Sequence, residues 1–80
     1  MNTYKLSNIS ISQFREFLFD IGCSRISVEG GHEKWHKAGC LRPVIIQTHI
    51  DPIPEFIVKN NLRSLGLTRK DFVVWLKTKK

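Results

Sequence analysis

The glycines of this chain fall where one hydrophobic rhythm stops and another begins, and that placement constrains the fold more than any other feature. Ahead of Gly22, the residues Ile11, Phe14, Leu18 and Ile21 recur at helical spacing. Gly22 is suited to the left-handed cap that ends such a helix. Ser10 and Gln13 have the spacing of a capping box, and Ile9 with Phe14 can staple the first turn. A helix is therefore expected over 11–21.

Beyond Gly22 the pattern becomes short runs rich in β-branched and aromatic residues: "SRISVE", "HEKWHK" and "LRPVIIQT". Gly30-Gly31 and Ala38-Gly39 supply the two turns between them. A three-stranded antiparallel meander follows. The stretch "HIDPIPE" breaks it off, because two nearby prolines disfavour both a helix interior and a central strand.

Pro54 suits a first helical position, with Glu55 in the first turn. Val58, Leu62 and Leu65 follow at spacings of four and three up to Gly66. Thr68 and Asp71 then cap a last short helix, "RKDFVVWLK", with Phe72, Trp75 and Leu76 on one apolar face. The expected class is α+β: a three-stranded antiparallel sheet in the order α-β-β-β-α, helices on one face, and a short extra C-terminal helix. That is the layout of double-stranded-RNA-binding domains.

Eighty residues hold one such core and no second. Residues 1–9, polar and without period, read as an arm or a loose lead-in; 10–77 form the single domain; 78–80 are a basic tail. Thirteen Lys and Arg against seven Asp and Glu leave a net charge of +6, which favours a polyanion or an acidic protein as partner. No run approaches the roughly 18 apolar residues of a membrane span, and "MNTYKLSNIS" lacks the apolar run of a signal peptide. A cytoplasmic location is expected, with Cys23 and Cys40 both reduced.

The chemistry of the chain concentrates in "VEGGHEKWHK". On a strand, residues two apart share a face, so His32, Lys34 and His36 point one way and Glu33, Trp35 and Lys37 the other. With Trp35 in the core, the histidines and Lys34 form a cationic strip on the open face. Such a strip suits RNA cleavage without a metal. Imidazole takes a proton from a ribose 2′-OH or returns one to the leaving oxygen, while an ammonium steadies the phosphate. Gly30 and Gly31 allow a tight turn and let a phosphate approach the backbone. Two other readings compete: zinc ligation by His32 and His36 with His49, Cys23 or Cys40, and plain exposure on a non-catalytic RNA-binding sheet.

The features "FLFDIG", "GGHEKW", "PVIIQTH" and "NNLRSLGLTRKDF", in that order and spacing, resemble the HicA family of toxins over about Ser10 to Leu76. These are small mRNA interferases of bacterial toxin-antitoxin systems with a double-stranded-RNA-binding-domain-like fold. The resemblance implies that His32 is the catalytic histidine of a metal-independent endoribonuclease with no cofactor. Gly30 then matches the turn glycine, and Trp35 the aromatic core residue. It implies an mRNA substrate and a HicB-type antitoxin, with DNA reached only through that antitoxin. Gly31 stands where the family has serine, Gln47-Thr48 where a proline is common, and Asn61 at an apolar-looking helix position.

Three functions follow. The first is an endoribonuclease using His32, with Gly30, Gly31, Lys34 and His36 contacting RNA. The second is a non-catalytic RNA-binding module of the same fold. The third is an inactive toxin homologue that keeps antitoxin binding. The aromatic residues, Tyr4 aside, are expected in the core.

Overall fold

The computed structural model describes residues 6–78. Tyr4 and most of the basic tail lie outside that range. Helix α1 (Ile11–Asp20) leads into strands β1 (Ser24–Glu29), β2 (His32–His36) and β3 (Val44–Gln47), followed by α2 (Glu55–Ser64) and α3 (Arg69–Thr78). The sheet is antiparallel in the order β1-β2-β3, so β2 is central. The architecture is the α-β-β-β-α layout with an added C-terminal helix.

Local chemistry sets each helix end. At α1 the Ser10 Oγ accepts from the Gln13 amide at 3.0 Å and the Gln13 Oε1 accepts from the Ser10 amide at 2.9 Å. Its far end closes as a Schellman motif: Gly22 at φ 95° lets the Cys23 amide reach the Leu18 carbonyl at 2.9 Å and its own amide reach Phe19 at 3.1 Å. The helix thus stops one residue short of the expected 21. α2 ends the same way, with the Leu67 amide on Leu62 at 2.8 Å. Pro54 is the N-cap of α2 rather than its first helical residue, its ψ of 142° still extended. Thr68 and Asp71 cap α3 reciprocally at 2.8 and 3.2 Å. With ten residues, α3 is as long as the other two helices.

The helices meet through aromatic rings. Phe17 lies edge-on to Phe72 at 4.7 Å and to Trp75 at 5.3 Å, and Phe14 completes the group at 6.0 Å from both Phe17 and Phe72. Each such pair adds about 0.5–1.5 kcal/mol beyond its burial. From the sheet, Trp35, Val44 and Ile46 turn inward onto this core.

Two expectations need correction. The lead-in is not loose where it is described: Leu6 is fully buried, Ile9 is nearly so, and Ile9 bridges Ile53, whose amide donates to the Ile9 carbonyl at 2.8 Å. Nor are all aromatics internal, since Phe19 and Phe56 stand 73% and 64% exposed. Phe19 follows Leu18 on α1 and falls off the buried stripe. Asn61, by contrast, has a reason to sit on the inner side of α2: its amide donates to the Ile45 carbonyl at 3.2 Å and ties α2 to β3.

Candidate functional site

Strand alternation divides β2 cleanly. His32, Lys34 and His36 are exposed, whereas Glu33 and Trp35 are buried. Register extends the open face to the neighbouring strands. Glu29, Ser27 and Ser24 on β1 lie opposite His32, Lys34 and His36, and Gln47 and Ile45 on β3 lie opposite His32 and Lys34. A bulge between Arg25 and Ser27 breaks the alternation of β1, so that Arg25 stays on the inner side opposite Trp35.

The inner side holds a polar network. Glu33, 1% exposed, receives a forked pair of hydrogen bonds from Arg15 on α1, Nε to Oε1 at 3.0 Å and Nη2 to Oε2 at 2.8 Å, and the Trp35 indole also donates to Oε1, at 2.7 Å. Arg25 approaches to 3.7 Å. Burial alone raises a carboxyl pKa, but the Arg15 and Trp35 hydrogen bonds, with the charges of Arg15 and Arg25, outweigh it and hold Glu33 below the ordinary glutamate range. The same hydrogen bond raises Arg15. Alternation put Glu33 on this side, and a carboxylate placed there requires a cation. Its partner, however, comes from a separate element eighteen residues away.

At the β1–β2 turn, both Gly30 (φ 53°) and Gly31 (φ 79°) are left-handed, a conformation that favours glycine at each position. The His32 Nδ1 lies 3.2 Å from the Gly30 carbonyl. A carbonyl only accepts, so Nδ1 carries the proton in that bond, which in the neutral ring leaves the lone pair on Nε2. From the end of β3, Thr48 clamps the turn, its amide and hydroxyl both donating to the Gly31 carbonyl at 2.8 and 3.2 Å. A Cβ at position 31 would lie 3.3 Å from His49 Nδ1. The serine that the resemblance leads one to look for would be strained here by the backbone conformation and crowded by the ring of His49.

His36, taken from the sequence as a second member of the site, stands four residues along β2 from His32, about 13 Å at strand spacing. The structure keeps it on the same face but away from the turn. His49 instead reaches the turn. Among the described residues, no group of three His, Cys, Asp or Glu is disposed to hold a metal ion. Cys23 and Cys40 are both free thiols.

Positive charge also gathers elsewhere. Two open clefts share Arg63 and Gly66 near the end of α2: one includes Lys59 and Arg69, the other Leu41 and Arg42. They lie toward the β2–β3 connection, at the opposite end of β3 from the glycine turn. No described helix is long and apolar enough to cross a membrane. A scan against protein-family models and searches of curated proteins and solved structures found no match to the chain.

Proposed function

We propose that the chain is a metal-independent endoribonuclease of the HicA toxin type, acting on mRNA and held inactive by a HicB-type antitoxin. The observation that carries this reading is the state of His32. It is exposed, it stands at the start of β2 beside the glycine turn, and its Nδ1 bond to Gly30 leaves Nε2 as the basic atom, with Lys34 two residues along the same face. A base able to accept the 2′-hydroxyl proton and an ammonium able to hold the phosphate are two of the groups that transphosphorylation uses. The glycine turn leaves backbone, not side chain, at the approach to His32.

The net charge of +6 supports a polyanionic substrate and an acidic inhibitor, and opposite charge speeds both encounters. As a protein of that type the chain acts in the cytoplasm, where messenger and antitoxin are both present.

Induced expression of the wild type is expected to arrest growth, and co-expression of the cognate antitoxin to relieve the arrest. Purified protein should cut RNA in EDTA. His32→Ala should lose both effects while retaining the wild-type circular dichroism spectrum and melting temperature. Cleavage by His32→Ala at the wild-type rate refutes the assignment. RNA binding without cleavage at any pH between about 5 and 9 favours the non-catalytic module instead.

A further inference from the structure

Cleavage through a 2′-hydroxyl needs two proton carriers, one to take the hydroxyl proton and one to protonate the departing 5′-oxygen. His32 supplies one. The strip on β2 offers no second imidazole within reach, because His36 lies about 13 Å along the strand. The other histidine, His49, is far from His32 in sequence but reaches Gly31, the residue immediately before His32.

Three observations fix that placement. The Nδ1 and Cε1 atoms of His49 lie 3.3 and 3.9 Å from where a Cβ of Gly31 would project, so the ring packs on the residue immediately before His32. The preceding residue, Thr48, is tied to the Gly31 carbonyl by both its amide and its hydroxyl, at 2.8 and 3.2 Å. The bend that carries His49 is closed by the Ile50 amide on the Gln47 carbonyl at 3.3 Å. His49 is exposed, as is His32. Both imidazoles therefore contact the same two-glycine turn, one through the Gly30 carbonyl and the other through the space left by the missing Gly31 side chain.

We infer that His49 is the general acid complementing His32, and that the two imidazoles with Lys34 form a phosphodiester-binding site over the Gly30-Gly31 turn. This rests on the endoribonuclease reading. In the step, His32 Nε2 takes the 2′-hydroxyl proton, the 2′-oxygen bonds to phosphorus, and the bond from phosphorus to the 5′-oxygen breaks as His49 gives that oxygen its proton. The products are a 2′,3′-cyclic phosphate and a 5′-hydroxyl, with no electron gained or lost. Glycine at position 31 leaves the space that the His49 ring takes up, and a side chain there would crowd that ring.

The charged groups around the pair are few. Glu29 faces His32 from β1, and Lys34 lies beside it on β2. Gln47, opposite His32 on β3, is neutral. Asp51, two residues past His49, is engaged by the Ile11 amide at 3.2 Å.

The test compares wild type, His32→Ala and His49→Ala in EDTA across about pH 5 to 9, on an RNA oligonucleotide and on uridine 3′-(4-nitrophenyl phosphate), whose leaving group needs no proton. His49→Ala should lose about 10²-fold or more in kcat on RNA, lose the alkaline limb of the pH profile, and remain near wild type on the nitrophenyl ester. His32→Ala should fail on both substrates. Equal impairment of His49→Ala on the two substrates, or no impairment on either, overturns the acid role. Independently of cleavage, inorganic phosphate should raise the NMR titration midpoints of both His32 and His49 in the wild type and leave His36 unmoved. A response from only one of the pair overturns the shared site. A wild type that cuts no RNA sinks the endoribonuclease reading, and the phosphate titration still decides the site.

Discussion

Replacing Arg15 with Met separates the two forces acting on Glu33. The thioether side chain keeps much of the apolar stem of Arg15 and deletes its fork of hydrogen bonds. Removing one partner of a buried ion pair costs about 3–5 kcal/mol, because the remaining charge is stranded. Here the figure is reduced on two counts. Arg15 is itself 39% exposed, so part of its attraction is already screened by water, and Glu33 retains the Trp35 indole at 2.7 Å and Arg25 at 3.7 Å. A loss of about 2–3 kcal/mol at pH 7 is expected, which for a domain of this size lowers the melting temperature by about 10–20 °C.

The pH dependence tests the cause. In the wild type Glu33 titrates below its unfolded value, so its contribution is complete above the ordinary glutamate range and is lost as pH falls through the lower, folded value. In Arg15→Met, burial becomes the dominant influence and raises the folded value instead. The folded variant then takes up a proton before the unfolded chain does, and stability returns as pH falls. Urea unfolding of both proteins between about pH 7 and 4 should therefore show the gap narrowing toward acid. In a Glu33→Gln background the same Arg15 substitution should cost about 1 kcal/mol, as expected for losing a hydrogen bond from a partly exposed guanidinium to a neutral amide. A pH 7 gap under about 0.5 kcal/mol, or one constant with pH, would refute the view that Arg15 compensates a buried carboxylate.

Two further outcomes follow from the same structure. Gly31→Ser should lower stability by about 1–2 kcal/mol for a left-handed backbone carrying a Cβ, with the added contact on His49; it should reduce RNA cleavage, and a gain in both stability and activity would show that the serine of the resemblance fits after all. Cys23 is buried, and burial pushes its thiol above the ordinary range against a smaller opposing effect of Lys37; iodoacetamide at pH 8 should leave it unmodified in the native protein and label it in urea, and rapid native labelling would contradict its placement.

The elements legible in the sequence were those decided by neighbours along the chain. The capping boxes of Ser10 with Gln13 and Thr68 with Asp71, and the left-handed stops at Gly22 and Gly66, each involve residues within a turn or two of one another. Alternation about Trp35 was equally local, and it sorted His32 from Glu33 before any tertiary contact was considered. What it did not provide was the partner. Arg15 follows Phe14 at the flank of the buried stripe of α1, and nothing in its neighbours along the chain marks it as the cation for a strand residue. Leu6 was hidden for a different reason: one buried side chain in a polar segment has no period to detect. Phe19 erred the other way, since hydrophobicity alone does not say on which side of a helix stripe a ring falls.

The inward and outward halves of β2 are not independent. A strand slipped by one residue would carry Glu33 into water and force His32 and Lys34 against the aromatic core. Apolar packing alone resists such a slip weakly on a strand whose buried members are one tryptophan and one carboxylate. The forked Arg15 bond and the indole bond resist it strongly, because both need the Glu33 oxygens at a single position. On the other side of the same strand, the Thr48 clamp on Gly31 fixes the hairpin end against β3. The buried ion pair and the clamp thus hold the register that leaves His32 exposed beside the glycine turn with Lys34 on its face, so a polar network on the inner side of the sheet determines where the outer imidazole stands.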